Sequence, residues 1–196
     1  MSTIKRLLEK TYYYWLGKKL FGAFGKGSYC IKPLRVVGGK HVHIGKNVSI
    51  LNALRIEAHS RNNRYNCIID IGDNTNIEQN VHITGAEQIN IGKEVSILGG
   101  TVITDIIHPY NDTSLPASKQ DIMTKPVNIG DQCFLGMYSM IMPGVTLGRH
   151  VIVGAHSVVT MNVPDCCVVA GNPAKIIKRY DREQASWIRM EGNYHE

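Results

Sequence analysis

The chain has 196 residues, 43% of them apolar and 19% charged, with 22 Lys and Arg against 16 Asp and Glu for a formal charge of +6. That composition belongs to a folded globular chain and excludes a disordered one, and no apolar run approaches the ~18–20 residues of a membrane span. Five cysteines (Cys30, Cys67, Cys133, Cys166, Cys167) give an odd count with no Cys-x-x-Cys pair. This argues against a disulfide framework or a thiolate zinc site, and a reduced, cytoplasmic chain is expected.

In chain order, residues 1–35 read as a helical cap and lead-in. Residues 3–21 carry apolar residues near helical spacing, several Lys and Arg, and the run Tyr12-Tyr13-Tyr14-Trp15. Two roles fit: a cap over the open end of the fold that follows, or peripheral contact with a membrane surface, where basic residues accompany Tyr and Trp.

Beyond this lead-in an aliphatic residue returns at every sixth position. Ile44, Ile50 and Ile56 form one run, Ile71, Ile77, Ile83 and Ile89 a second, and Ile91, Ile97 and Ile103 a third. The longest is Ile129, Leu135, Ile141, Leu147, Val153 and Val159, and Gly often follows, as in Ile129-Gly130 and Leu147-Gly148. Four places after each aliphatic residue the side chain is small or β-branched, as at Cys133, Ser139, Val145 and Ser157. The phase slips at about 57–70, at 90 and at 104–128, where loops should leave the repeat. A period of six fits neither a helix, whose apolar residues return at three and four, nor an alternating strand. It fits a short strand plus a corner, three of which close a coil of eighteen residues. Ile129 should then stack on Leu147, Leu135 on Val153 and Ile141 on Val159. The expected fold is all-β: a parallel β-helix over residues 36–175 with a protruding loop at 104–128. A tail over 176–196 should begin with a short helix across 176–190.

These hexads, [Leu/Ile/Val]-Gly-x-x-x-x from about Val36 to Arg179, resemble the hexapeptide-repeat acyltransferases. The closing Val169-Ala170-Gly171-Asn172-Pro173-Ala174-Lys175 is similar to the last coil of bacterial sugar O-acetyltransferases, and Phe24 through Lys40 to their polysaccharide-directed branch. The resemblance implies a left-handed coil and a homotrimer. It implies acetyl-CoA as co-substrate, with no metal, and a sugar or glycan acceptor, a unit of a surface polysaccharide such as capsule or lipopolysaccharide. No nucleic-acid-binding motif appears.

The same resemblance places a catalytic histidine at His108, in Thr104-Asp105-Ile106-Ile107-His108-Pro109, where the repeat breaks. The chemistry suits an imidazole. A sugar hydroxyl is a poor nucleophile, and a base with a pKa near neutrality takes its proton as the new C–O bond forms. Asp105 either accepts from the imidazole and holds its tautomer, or stabilises the turn of the loop. No cysteine or serine lies in a recognisable nucleophile motif, so direct transfer in a ternary complex is expected. By the same matching, the backbone at Met137 and Ala155 meets the pantetheine arm of the donor. Phe134 takes a position often held by Trp, Thr160 and Met161 take a Thr-Lys pair, and Lys175 and Lys178 meet the nucleotide phosphates. Met137 stands for a common Ser and Met161 for a common Lys, which removes one charge. Glu78 and Asn80 fall at acceptor-binding positions, Glu78 where galactoside enzymes carry Asn. Two alternatives remain: N-acetylation of a nucleotide-linked amino sugar, and a non-catalytic or zinc-dependent protein of the same fold. His41, His43 and His59 bear on the zinc alternative, which needs three or four convergent ligands.

Overall fold

The structure is a computed structural model that describes residues 3–60 and 67–190, with side chains from Thr11 onward. A single helix, α1 (Thr3–Leu20), precedes short strands that visit three parallel sheets in turn. The first sheet runs from Ala23–Phe24 to Thr146–Leu147 and the third from Arg35–Val37 to Val158–Val159. The second begins at Tyr29–Cys30 and continues past the last coil. The result is a three-sided parallel solenoid. Its first rung starts at Ala23, which pairs with His43, so the prism begins inside the segment read from the sequence as lead-in.

The stacking follows the eighteen-residue rule. Ile129 lies beside Leu147, Leu135 beside Val153 and Ile141 beside Val159. Ile97, Leu135 and Ile141 are wholly buried, and each such side chain contributes about 1.5–3 kcal/mol over its exposed state. Where the phase slips, the rung lengthens. His43 pairs with Asp70, 27 residues on, and His43 Nδ1 lies 2.8 Å from Asp70 Oδ1. That long rung removes the eighteen-residue stacking of His41 and His59. Among the described residues no group of three metal-ligating side chains converges.

At Ser28 and Thr75 the small position, four places after an inward apolar residue, carries a hydroxyl that links rungs. Ser28 Oγ donates to the Gly45 carbonyl at 2.7 Å and accepts from the Val48 amide at 2.9 Å. Thr75 does the same between Gly92 and Val95. Each hydroxyl thereby joins one rung to the next while satisfying backbone groups that would otherwise be buried unpaired. Glycine after the aliphatic residue reflects close approach. A Cβ on Gly130 would sit 2.7 Å from the backbone carbonyl of Gly148 one rung on.

At the open end, α1 packs over the first rung. Tyr14 lies 6.0 Å from Phe24, ring centroid to centroid, and Phe21 stacks on Phe24 at 5.6 Å. Gly17 leaves the room that the Phe24 ring fills. Tyr12 and Trp15 face outward. No helix is long and apolar enough to cross a membrane among the described residues.

The other end corrects the expected tail helix. Ala174–Asp181 and Ser186–Arg189 form an antiparallel hairpin that extends the second sheet, and no helix occurs across 176–190. The last rung leaves a row of unpaired N–H and C=O groups, which a strand satisfies and a helix would not. Asp181 Oδ1 accepts from the amides of Glu183 and Gln184 to close the hairpin's turn. Trp187 lies over the His150 ring at 6.3 Å and against Tyr180 at 5.5 Å.

On the outer face of the third sheet, Arg55, Glu57 and His59 alternate along one strand. Glu57 is 3% exposed. Arg35 Nε lies 2.5 Å from its Oε1, Arg55 makes two contacts of 3.1 Å to the carboxylate, and His59 Nε2 lies 3.4 Å away. Burial works against the charge, but the Arg55 and Arg35 guanidinium groups outweigh it and hold the carboxyl below the usual glutamate range.

Ile97→Ala is expected to cost about 2–5 kcal/mol in chemical denaturation through the cavity it leaves, whereas Ile188→Ala on the exposed hairpin should cost under ~1 kcal/mol. Because the Glu57 carboxyl is held low, its stabilising contribution is present above the ordinary value of 4.5 and is lost as pH falls through its folded value. Relative to Glu57→Gln, the wild type should therefore lose stability on acidification, read from denaturation curves across that pH range.

Candidate active site

The corners of the prism stack into edges, and the candidate residues fall on two of them. At the edge between the second and third sheets, corner residues recur rung after rung with left-handed backbone. Asn80 (φ 59°), Gly100 (72°), Tyr138 (55°) and His156 (56°) occupy equivalent places. Backbone hydrogen bonds tie them, from the Tyr138 amide to the Gly99 carbonyl at 3.0 Å and from the His156 amide to the Met137 carbonyl at 2.9 Å. Because Leu135, Val153 and Val169 are in register, the next residues form a line of small side chains: Gly136, Gly154 and Ala170. Met137, Ala155 and Gly171 lie alongside. Gly136 and Gly154 are packed so closely that a Cβ on Gly136 would meet the Ala155 amide nitrogen at 2.6 Å. This edge is a shallow groove lined by small side chains, with Gly136 buried in its floor and Ala155 and Gly171 exposed, and Met137 lies 41% exposed beside it. Phe134, two residues ahead of Gly136, lies half exposed on the adjoining face of the second sheet.

Glu78 and Asn80 occupy the same edge nearer the first rung. Glu78 Oε2 accepts from the Gly99 amide at 3.0 Å, and Asn80 takes the left-handed corner position. The Glu78 side chain and the Asn80 backbone thus help shape turns. Tyr138 and His156 stack with ring centroids 5.2 Å apart.

The opposite edge, between the third and first sheets, holds the rest. Ile103, Ile141 and Val159 are in register, so Thr104, Met142 and Thr160 follow one another, then Asp105, Pro143 and Met161. The chain leaves the solenoid here. Ile106–Ile107 pairs antiparallel with Met123–Thr124, a short 3-10 turn covers Ala117–Lys119, and Val127 rejoins the first sheet. His108 follows directly on the hairpin's first strand and is exposed. From Gly100 to Asp105 the third face is five residues wide, about 16 Å at the strand rise. Within one chain, His108 and the glycine-lined groove therefore stand on different edges.

Asp105 is wholly buried, and its carboxylate is committed to backbone. Oδ1 accepts from the Ala86 amide at 2.8 Å, and Oδ2 from those of Glu87 and Gln88 at 2.9 and 2.8 Å. Burial pushes its carboxyl above the usual aspartate range, and the three amides pull it part of the way back. It bonds the turn of the preceding rung and not the imidazole, so of its two expected roles the structural one is present. Meanwhile the Asp105 carbonyl accepts from the Lys125 amide at 2.9 Å, holding both strands of the hairpin at its root.

Burial pushes the thiols of Cys30 and Cys67 up to about 12 and that of Cys133 to about 11, with the Asp105 charge adding to the shift at Cys67. These three are protonated core side chains, not nucleophiles. Besides Glu57, His82 is a perturbed titratable group to which the sequence reading gave no role. His82 is held below the ordinary histidine range by burial and by the Arg55 charge, and its Nε2 lies 2.5 Å from Thr84 Oγ1. Its signal was available in Arg55-x-Glu57-x-His59, three polar residues on one strand face that have to share partners with the next strand.

Lys175 and Lys178 sit on the C-terminal hairpin, at the far end of the glycine-lined groove, where Lys175 pairs with Ala170 and Lys178 with Val168.

Residues 126–160 match the family model described as bacterial transferase hexapeptide (six repeats). The chain is 33% identical over 162 residues to WbbJ of Escherichia coli K12, named as a lipopolysaccharide biosynthesis O-acetyl transferase, covering 79% of this chain and 80% of that one. It is 26% identical over 174 residues to the galactoside O-acetyltransferase of the same organism, covering 88% of this chain and 71% of that one. The hexapeptide-repeat acetyltransferase VCA0836 of Vibrio cholerae superimposes with a TM-score of 0.63 at 28% identity, over 89% of this chain and 82% of that one. A second structure of that protein, complexed with acetyl coenzyme A, gives the same score at 26% identity. With its stacked hexads, its broken rung at the edge between the third and first sheets and this extent of shared sequence, the chain belongs to the hexapeptide-repeat acetyltransferases.

Proposed function

We propose that this protein moves an acetyl group from acetyl-CoA to a hydroxyl of a sugar in a surface polysaccharide such as lipopolysaccharide or capsule. In this reading the solenoid is left-handed and the working unit is a cytoplasmic homotrimer. The sugar hydroxyl as acceptor is supported by the identity with WbbJ across about four fifths of both chains. The trimer is supported by the geometry: His108 stands on a hairpin at one edge while the glycine-lined groove lies on another. A neighbouring copy that lays its groove edge against this hairpin completes the site. A ring of such head-to-tail contacts closes.

The groove suits a long, flexible thioester donor because glycine at 136 and 154 and alanine at 155 and 170 place only small side chains along several rungs. His108 takes the proton from the attacking sugar hydroxyl as the C–O bond forms. It returns that proton to the departing thiol sulfur as the C–S bond breaks. No residue is acylated in between. Asp105 serves as a positioning residue, fixing the root of the hairpin that carries the imidazole. Thr160 and Met161 lie at the hairpin's edge and Phe134, Met137 and Ala155 beside the groove, so the donor would touch two copies. Glu78 and Asn80, nearer the first rung on the groove edge, are placed to meet the acceptor.

His108→Ala should fold normally and lower kcat for thiol release from acetyl-CoA by about 10²–10⁴-fold, measured with a panel of sugars, nucleotide sugars and oligosaccharides and mass spectrometry of the product. Release supported by amino sugars alone would replace O- with N-acetylation, and unchanged turnover in His108→Ala would remove this histidine from the mechanism. Co-expression of His108→Ala with a groove-blocking Met137→Trp should restore about a quarter of wild-type sites, because each loop then meets the next copy's edge at random. Absence of any restoration would place both halves of the site in one chain.

A further inference from the structure

Charge is unevenly spread along this chain. Residues 1–56 hold 11 of the 22 Lys and Arg but one of the 16 Asp and Glu, Glu9, while residues 57–196 carry 11 cations against 15 carboxylates. The formal charge of +6 thus divides into +10 before Glu57 and −4 from it onward. Such asymmetry is a signature of an anionic partner. Folding gathers the excess at one end. Lys26, Lys32 and Lys40 stand at the three corners of the first rung, one on each edge of the prism, and all are exposed. Lys18 and Lys19 close α1, which lies over that rung. Among the described residues none of these five lies within ion-pair distance of a carboxylate.

Apolar side chains are uncovered at the same end. α1 turns Tyr14 and Gly17 to Phe24, which leaves Tyr12, Trp15 and Lys19 together on its outer side at helical spacing. Trp15 is 61% exposed. Leu34 lies in register with Leu54, one residue ahead of the Arg35–Arg55 pair. Leu54 is wholly buried and Leu34 is 72% exposed, because no rung precedes it. The helix caps the core with one side and presents the other.

We infer that this end docks on a bilayer surface containing anionic phospholipid, its aromatic side chains entering the headgroup layer while the lysines meet the lipid phosphates. Tyr and Trp favour that interface, where one end of the side chain is apolar and the other wet. Clustered Lys and Arg beside them bind anionic lipid. A soluble polyanion would match the cations but give Trp15 and Leu34 nothing to enter, which favours the lipid surface. The excess of carboxylates from Glu57 onward is repelled by the same surface, so the α1 end leads.

The test is co-sedimentation of the intact protein with vesicles of phosphatidylcholine, alone or with about a third phosphatidylglycerol, at about 0.1 M salt, where surface charges act over ~10 Å. Binding is expected only to the mixed vesicles. Lys18→Gln/Lys19→Gln/Lys26→Gln should weaken it about 100-fold, since each cation is worth about 5-fold. Lys93→Gln/Lys119→Gln/Arg149→Gln, of the same net charge, should bind as the wild type does. Trp15→Ser should weaken binding about 10-fold with an unchanged denaturation midpoint. In Trp187→Phe, which leaves Trp15 as the one tryptophan, emission should shift to shorter wavelength on the mixed vesicles. Equal binding to both vesicles or to neither, an equal loss in the two triple variants, or unmoved Trp15 emission overturns the inference. So does undiminished binding by Trp15→Ser, and equal affinity for dextran sulfate would then name a soluble polyanion as the partner. Each of these failures leaves the acetyl transfer proposed above intact.

Discussion

The constraint on which the rest depends is that each inward aliphatic side chain lands on its counterpart one rung further on, eighteen residues along where nothing is inserted, as Leu135 does on Val153. Every rung buries its hydrophobic face only against its neighbours, so stability is shared along the axis. Any insertion has to leave at a corner, because an extra residue within a strand would turn all later side chains to the wrong face. The break after Ile103 meets this condition: the chain exits at Thr104-Asp105 and returns at Val127 in register with Ile89.

This explains why the candidate chemistry sits at edges. A face of the prism is a flat ladder with backbone groups paired and side chains alternating in and out. A corner exposes backbone and is the one place where chain can be added without disturbing the stack. The groove at Gly136 and Gly154 uses the small side chains of a corner, and the hairpin bearing His108 uses the permitted insertion. A face about 16 Å wide divides the two edges, so the geometry that stabilises one chain also separates the hairpin bearing His108 from the glycine-lined groove. The proposed trimer rests on that separation.

Asp105 shows how a buried charge is used in such a frame. Its three amide donors at the turn of Ala86 to Gln88 offset part of the desolvation of a carboxylate inside the protein. It joins the rung before the break to the strand that leaves. Spacing in the sequence put Asp105 three residues before His108, which fits either a partner to the imidazole or an anchor for the turn. Both roles use the same residue type, and only the position of the 86–88 backbone separates them. Glu57 is a parallel case, where two arginines on successive rungs converge on one buried carboxylate.

The repeat, the stacked pairs, the corner of exit and the location of His108 on a protruding loop were legible in the sequence, because a six-residue period is a local property and each hexad states it again. The C-terminal hairpin was not. Its residues 176–190 have no repeat to follow, and their conformation is set by the unpaired edge of the last rung, which exists only once the coils before it have formed. The same holds for Arg189 facing Lys178, for Arg35 reaching Glu57 and for Trp187 over His150. Sequence alone determined the period and therefore the architecture. The tertiary structure decided which side chains from distant rungs share a partner, since that depends on lengths of insertion and on strand edges that no local pattern encodes.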